Sequence, residues 1–374
     1  MRLRMTQRFH NRGFSIVELM VAVTIAIITG LVVLQVLSTY EARRRTLTVG
    51  IDAEMSAAVG LYMLESEVRM AGAGFTSPLG LLCGNGINAY YDGATLSDGV
   101  ALPFVSITDG GAGGTDRIDV IHSNSAFGVA PVTITQSMVS PGAAVRVEGT
   151  AGLANGDLFL AASQDGVKVC TLMQLTANPA SAGTNWTLAH TAAGSDYNPA
   201  NPGGAFTNPV NYDVGDAVYN LGTFGMRAFR VICNDGAAPS LTNTCILGSS
   251  DAIAGPANPT IAQAEALASQ VVDFQLQYGV APAGSQTVDT WVDATGGWAA
   301  PNAADQRRIK AVRIAIVTRG NLEREMVSPD TLVIWDATVD GTQRTKALTD
   351  DERFYRYKVQ TVVVPLINMI WAGV

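Results

Sequence analysis

The chain has 374 residues, 48% of them hydrophobic and only 15% charged, with 38 glycines and a formal net charge of −8. That length and apolar content exclude a disordered chain and allow a sizeable core, while the acidic balance argues against wholesale nucleic-acid binding. Sparse charge with abundant glycine favours turn-rich β structure over a charged helical bundle.

The charge is unevenly placed. Arg2, Arg4, Arg8 and Arg12 lie within residues 1–13, which hold no acid; without them the balance is 20 basic against 32 acidic residues, a net −12. The basic cluster therefore reads as a transient leader ahead of an acidic body. Leu19 to Leu37 are 19 residues without a charge, and a helix of that length approaches the roughly 30 Å of bilayer hydrocarbon. The arginines ahead of it hold the N-terminus in the cytoplasm by the positive-inside tendency. Arg43, Arg44 and Arg45 oppose that reading, Glu41 offsets them in part, and the large polar body favours export of the C-terminal side. An ordinary secretory signal would end in small residues just after the apolar run, and Ser38-Thr39-Tyr40-Glu41-Ala42-Arg43 fits that poorly.

One carboxylate, Glu18, stands at the head of the apolar stretch. An ionised acid in a membrane helix costs roughly 2.5–3.5 kcal/mol on insertion scales and needs a partner. Cleavage after Gly13 would place a positive amine on Phe14, four residues before Glu18 and on the same helix face. The run Arg12-Gly13-Phe14-Ser15-Ile16-Val17-Glu18-Leu19-Met20 resembles the type III signal of type IV prepilins. The resemblance implies cleavage by a prepilin peptidase between Gly13 and Phe14 and N-methylation of the Phe14 amine. It further implies storage of the helix in the inner membrane, then packing in a filament core with Glu18 against a neighbour's amine. The first half of the helix lacks the proline of major pilins and has Gly30 as its only local breaker.

The helix is expected to continue beyond the apolar span, with Met55, Val59, Tyr62, Met63, Leu64 and Val68 as an apolar stripe against a sheet, and to stop at Gly72, Gly74 and Pro78. Residues 76–115 read as a long irregular or hairpin-containing connection. Gly110–Gly114 precede strand-like Arg117–Ile121 without Lys-Ser/Thr or a helix, so they form a turn rather than a phosphate loop. Strands are expected at 131–135, 144–148, 157–162, 167–175, 186–190, 217–221 and 226–232, then at 272–278, 311–318 and 355–364. A short helix is expected at 261–270, and the apolar C-terminus reads as a terminal strand.

Cys83, Cys170, Cys233 and Cys245 follow the apolar segment without a CxxC pair, and three histidines leave no zinc spacing. Three disulfide pairings are open. Cys233 with Cys245 is favoured because Asn234, Asp235, Gly236 and Pro239 allow a return turn; the partners of Cys83 and Cys170 stay open. After the leader only His122 and His190 remain for a nucleophile arrangement, and no GxSxG elbow is present. Asp109, Asp116 and Asp119, and Asp196 with Asn198 and Asn201, offer oxygens for calcium without EF-hand spacing, and read as turn residues. No catalytic, cofactor-binding or metal residue is assigned, and the chain is not expected to be an enzyme.

Ala268–Gly279, Ala311–Arg319 and Arg353–Asn368 resemble, in order, the late segments of PilW-type minor pilins, and Gly114-Thr115-Asp116 and Gly156-Asp157 before strands fit the same pattern. The resemblance implies an α+β fold: a long N-terminal transmembrane and assembly helix packed on a large antiparallel β-rich pilin-like domain. Its divisions are a leader at 1–13, a helix at 14–72 spanning the membrane at about 16–38, and an exported domain at 73–374. The implied role is a minor pilin that initiates or caps a type IV pilus, lodged in the inner membrane with its body in the periplasm. Its partners would be the peptidase, other minor and major pilins and membrane lipid, and no nucleic acid. The alternatives are a minor pseudopilin J of type II secretion, or a pilus-tip adhesin binding carbohydrate through Trp186, Trp291 or Trp298.

Overall fold

The computed structural model describes residues 15–77, 80–81, 83–123, 130–150, 152–336 and 343–371. The chain divides into two compact units, Met1–Asp52 and Ala53–Val374. A single helix, Ile16–Arg69, is the one element they share.

In the first unit the helix carries no charge between Glu18 and Glu41 and is apolar on every face there. Its Ile16–Glu41 stretch, 26 residues and none buried, reaches about 39 Å at 1.5 Å per residue, enough to cross the hydrocarbon of a bilayer. Its few hydroxyls are masked by the helix itself. Thr24 donates to the carbonyls of Met20 and Val21, Thr29 to Ile25 at 2.7 Å, and Thr39 to Gln35 at 2.8 Å. Back-bonding of this kind spares an apolar surface the cost of unsatisfied donors. The helix runs unbroken through Gly30.

In the second unit the helix buries Leu64 and Val68 of the expected stripe but not its other members. Ala57, Gly60, Leu64 and Val68 are buried, whereas Met55 (63% exposed), Val59, Tyr62 (72% exposed) and Met63 face outward. Small residues win because the backbone approaches a strand closely. A Cβ at Gly60 would lie 2.7 Å from the Leu267 carbonyl and 2.9 Å from the Ala268 Cβ. That strand, Glu265–Ser269, replaces most of the helix expected at 261–270; only a 3₁₀ turn, Ile261–Gln263, precedes it, capped reciprocally by Thr260 and Gln263. Pairing with the strand Cys245–Asp251 overrides the helical propensity of Ala264–Ala268.

The expected fold class, α+β with a long apolar helix and a large antiparallel β-rich domain, is the one observed. A five-stranded sheet runs in the order 265–269, 245–251, 224–233, 117–123, 105–108; a four-stranded sheet in the order 290–292, 271–280, 309–322, 355–365. A nine-stranded sheet takes in the 87–100 hairpin and the strands between 132 and 222. Its parallel pair is Cys170–Gln174 with Ile87–Tyr91. The 76–115 connection thus contains three strands of four or more residues, 87–91, 94–100 and 105–108.

The main core lies between helix and sheets, with Leu64, Val68, Phe229, Phe274, Ile314 and Val364 among its members. A second cluster, around Phe159, Tyr212 and Val218, backs the nine-stranded sheet. The strand Leu158–Ala162 serves both: Leu158, Leu160 and Ala162 face the main core, Phe159 and Ala161 the second. Period-two alternation in a doubly covered strand requires this apolar run. Two disulfides close the framework, Cys233–Cys245 and Cys83–Cys170. The first joins register partners at a hairpin end and is worth roughly 3 kcal/mol in loop-entropy terms.

The chain end departs from the expected terminal strand. The strand Tyr355–Pro365 gives way to a short helix, Ile367–Trp371, which Lys310 holds by donating to the Met369 carbonyl at 2.8 Å. Asn368 in turn caps the long helix, donating to the carbonyls of Ala71 (3.0 Å) and Met70. Gly72, at φ +75, turns the chain there.

Asp116 closes an open sheet edge. It receives the Leu276 N–H at 2.7 Å and the Gly110 N–H at 3.0 Å on its carboxylate, and its own N–H donates to the Phe274 carbonyl. Burial nevertheless outweighs these donors and pushes its pKa up to about 6.

Two measurements test these contacts. Ala exceeds Gly by about 1 kcal/mol in helix propensity, so Gly60→Ala would stabilise a loose helix; here it should destabilise the second unit by about 1–3 kcal/mol through overpacking. Urea unfolding of the detergent-solubilised full chain reads this, and Gly30→Ala, with nothing within 4 Å, should leave it unchanged. Because the folded pKa of Asp116 lies above its unfolded value, its contribution is full below about pH 4 and lost as pH rises through about 6. Stability measured against pH should therefore fall by on the order of 2 kcal/mol more in the parent than in Asp116→Asn across that window.

Candidate functional site

In the first unit, the chemistry sits at the start of the helix. Glu18 lies in its first turn, where a carboxylate opposes the positive end of the helix dipole, and the Ser15 N–H points to its Oε2 at 3.4 Å. Around it Ile16, Val17, Leu19 and Met20 are all exposed. Gly13 and Phe14, the expected cleavage pair, lie outside the described residues, as does any Phe14–Glu18 contact. What the described helix offers is a continuous lipid-compatible surface with one acid near its end.

In the second unit the polar residues of the 309–322 strand stand out. Lys310, Arg313 and Arg319 are buried in an otherwise apolar run. The Arg313 guanidinium, 3% exposed, lies 4.5 Å from the Trp291 ring and 5.2 Å from the Trp335 ring. Stacking between indoles suits a weakly hydrated planar cation. Arg319 secures the disulfide hairpin, donating to the carbonyls of Ser240 (2.7 Å) and Asn243, with its plane over Tyr355. Burial lowers the Lys310 pKa. Only the spacing of cations within an apolar strand could have marked these positions from sequence.

Beside Arg313 opens a cleft of about 400 Å³, walled by Val333, Trp335 and Asp336 on one side and Thr361 and Val363 on the other. Trp335 is buried, and its Nε1–H has no acceptor among the described residues. A smaller cavity of about 230 Å³ is lined by Pro141, Pro199, Pro202, Pro209, Phe206 and His190. Its polar groups are spent internally. His190, whose pKa burial holds down, donates from Nε2 to the Ala143 carbonyl at 2.7 Å, and Asn198 both accepts from Gln174 and donates to Gln174 and Thr191.

His122 meets Glu67 of the helix at 2.9 Å, and that hydrogen bond holds the Glu67 carboxyl below its usual range. Asp119 binds Arg117 at 2.8 Å, and Asp109 accepts from the Gly111 N–H. Among the described residues no group of three or more His, Cys, Asp or Glu is placed to hold a metal ion. The tryptophans singled out in the sequence are half-buried: Trp186 against the second cluster, Trp291 over Arg313, and Trp298 beside Arg308 and Tyr278.

No curated protein and no solved structure matches the chain. Residues 231–368 match the model of the PilW family, described as Type IV Pilus-assembly protein W. That stretch holds the Cys233–Cys245 hairpin, the buried cations of the 309–322 strand, the cleft and Asn368, and the match supports a PilW-type, pilus-related family for this chain.

Proposed function

We propose that the chain is a minor pilin, a structural subunit without catalytic activity that initiates or caps a type IV pilus after processing between Gly13 and Phe14. The observation that carries this reading is the exposed 26-residue apolar span, uncharged between Glu18 in its first turn and Glu41 at its far end, on a chain whose residues 231–368 match a pilus-assembly family. The mechanism is assembly. The peptidase releases the leader and exposes the Phe14 amine. The helix waits in the inner membrane with the body in the periplasm. It then exchanges lipid for neighbouring pilin helices, and Glu18 neutralises an adjacent subunit's methylated amine inside the bundle. Exchange of lipid for helices costs little, because both surroundings are apolar; the charge pair supplies direction and register.

The pseudopilin alternative shares this mechanism and differs in the machine served. The adhesin reading lacks support in the indoles, each of which packs against its own neighbours.

The mature protein extracted from native membranes should begin at Phe14 by intact mass, and a soluble form beginning near residue 42 would sink the reading. Glu18→Ala should insert as well as the parent, since it removes a costly charge. Pilus number in a strain carrying only the variant should drop at least about tenfold, the equivalent of 1.4 kcal/mol or more of lost pairing.

A further inference from the structure

The four-stranded sheet closes one of its edges and leaves the other open. On one side Thr290–Val292 pairs with 278–280, and Asp116 satisfies 274–276. On the other, Tyr355–Pro365 pairs, among the described residues, only with 309–322. The Leu366 N–H donates to Lys310 directly opposite, so with regular alternation 358, 360, 362 and 364 also bond inward and 359, 361 and 363 turn their N–H and C=O groups outward. Pro365, which has no N–H, falls in the outward set, where a strand proline belongs. Among the described residues, Val359, Thr361 and Val363 have no partner for these outward groups.

Arg356, Lys358 and Pro365 guard the ends of this strand, and its middle lacks such protection. At eleven residues it is twice a common strand length, and Val359-Gln360-Thr361-Val362-Val363 carries no charge or proline. Edges of this kind template pairing with other chains. The cleft beside it adds specificity: Val333 and Val363 are 48% and 50% exposed across it, and its wall carries the Trp335 Nε1–H, which has no acceptor among the described residues.

We infer that the Tyr357–Val363 edge is a docking site for an extended strand of a different pilin-type subunit, one that carries an acceptor side chain, carboxylate or amide, among apolar residues. The row of outward amides calls for a strand. The Trp335 indole N–H, without an acceptor among the described residues, calls for an acceptor on that strand's cleft-facing side. A second copy fits worse, because its own Tyr357, Val359, Thr361 and Val363 bring no carboxylate or amide. The inference rests on the minor-pilin reading and names its interface.

The test uses the full chain in cells. Thr361→Pro deletes one outward N–H without touching the inner ladder, whereas Thr361→Ala keeps it. Both should match the parent in membrane level and disulfide content. Pilus number should fall tenfold or more in Thr361→Pro and stay within twofold in Thr361→Ala. Parental pilus number in Thr361→Pro overturns the inference, while loss in Glu18→Ala alongside it leaves the minor-pilin reading standing; parental numbers in both variants sink that reading as well. A second measurement is independent of folding in the proline variant. A photo-crosslinking residue at Val363 should join an acid- or amide-bearing segment of another prepilin-type subunit, identified by peptide sequencing. Crosslinks to a second copy of this chain, or none, overturn the inference.

Discussion

The second unit depends on how closely the helix meets the strand Glu265–Ser269. Because Gly60 has no side chain, the helix backbone rests against Leu267 and Ala268, and Ser56 accepts the Ser269 N–H at 3.2 Å. That approach carries Leu64, Val68 and Ala71 into the main core, where burial of each large side chain stabilises by about 1.5–3 kcal/mol. It also fixes where the helix ends. Gly72 turns, donates to the Ile121 carbonyl, and leaves the last helical carbonyls to Asn368, so the final segment of the chain completes the first element of the domain.

Around this core, polar side chains work as connectors. Lys310 caps the terminal helix, Arg319 binds the disulfide hairpin, Asp116 stands in for a strand, and Asn198 ties together the carbonyls of Gln174 and Thr191. Each is buried and each is hydrogen-bonded, which is how a glycine-rich β body with many loops keeps a defined arrangement. Among the described residues, the groups left without partners include the Trp335 indole N–H and the outward amides of the 355–365 strand.

The two units answer different solvents. Between Glu18 and Glu41 the first is apolar on every face and masks its hydroxyls within the helix, a surface suited to hydrocarbon or to other apolar helices. The second carries both disulfides and most of the acidic residues.

Much of this was legible in the chain. The apolar span, the acid at its head, the glycine stops and most strands of the body appear as run length, periodicity and turn residues, and the Cys233–Cys245 return turn could be proposed from its four turn-forming neighbours. What could not be read were facts of contact. Met55, Val59, Tyr62 and Met63 looked like the buried stripe because apolarity marks burial on average, yet Gly60 and Ala57 face the sheet because only small residues permit the observed approach. Ala264–Ala268 has helical propensity and becomes a strand because a neighbouring strand supplies its hydrogen bonds. Sequence by itself determined the anchor and the β-rich class, since these depend on local composition and period. Tertiary structure alone decided which face of the helix is buried, which sheet edge is closed by Asp116 and which stays open, because each depends on residues more than a hundred positions apart meeting at hydrogen-bonding distance.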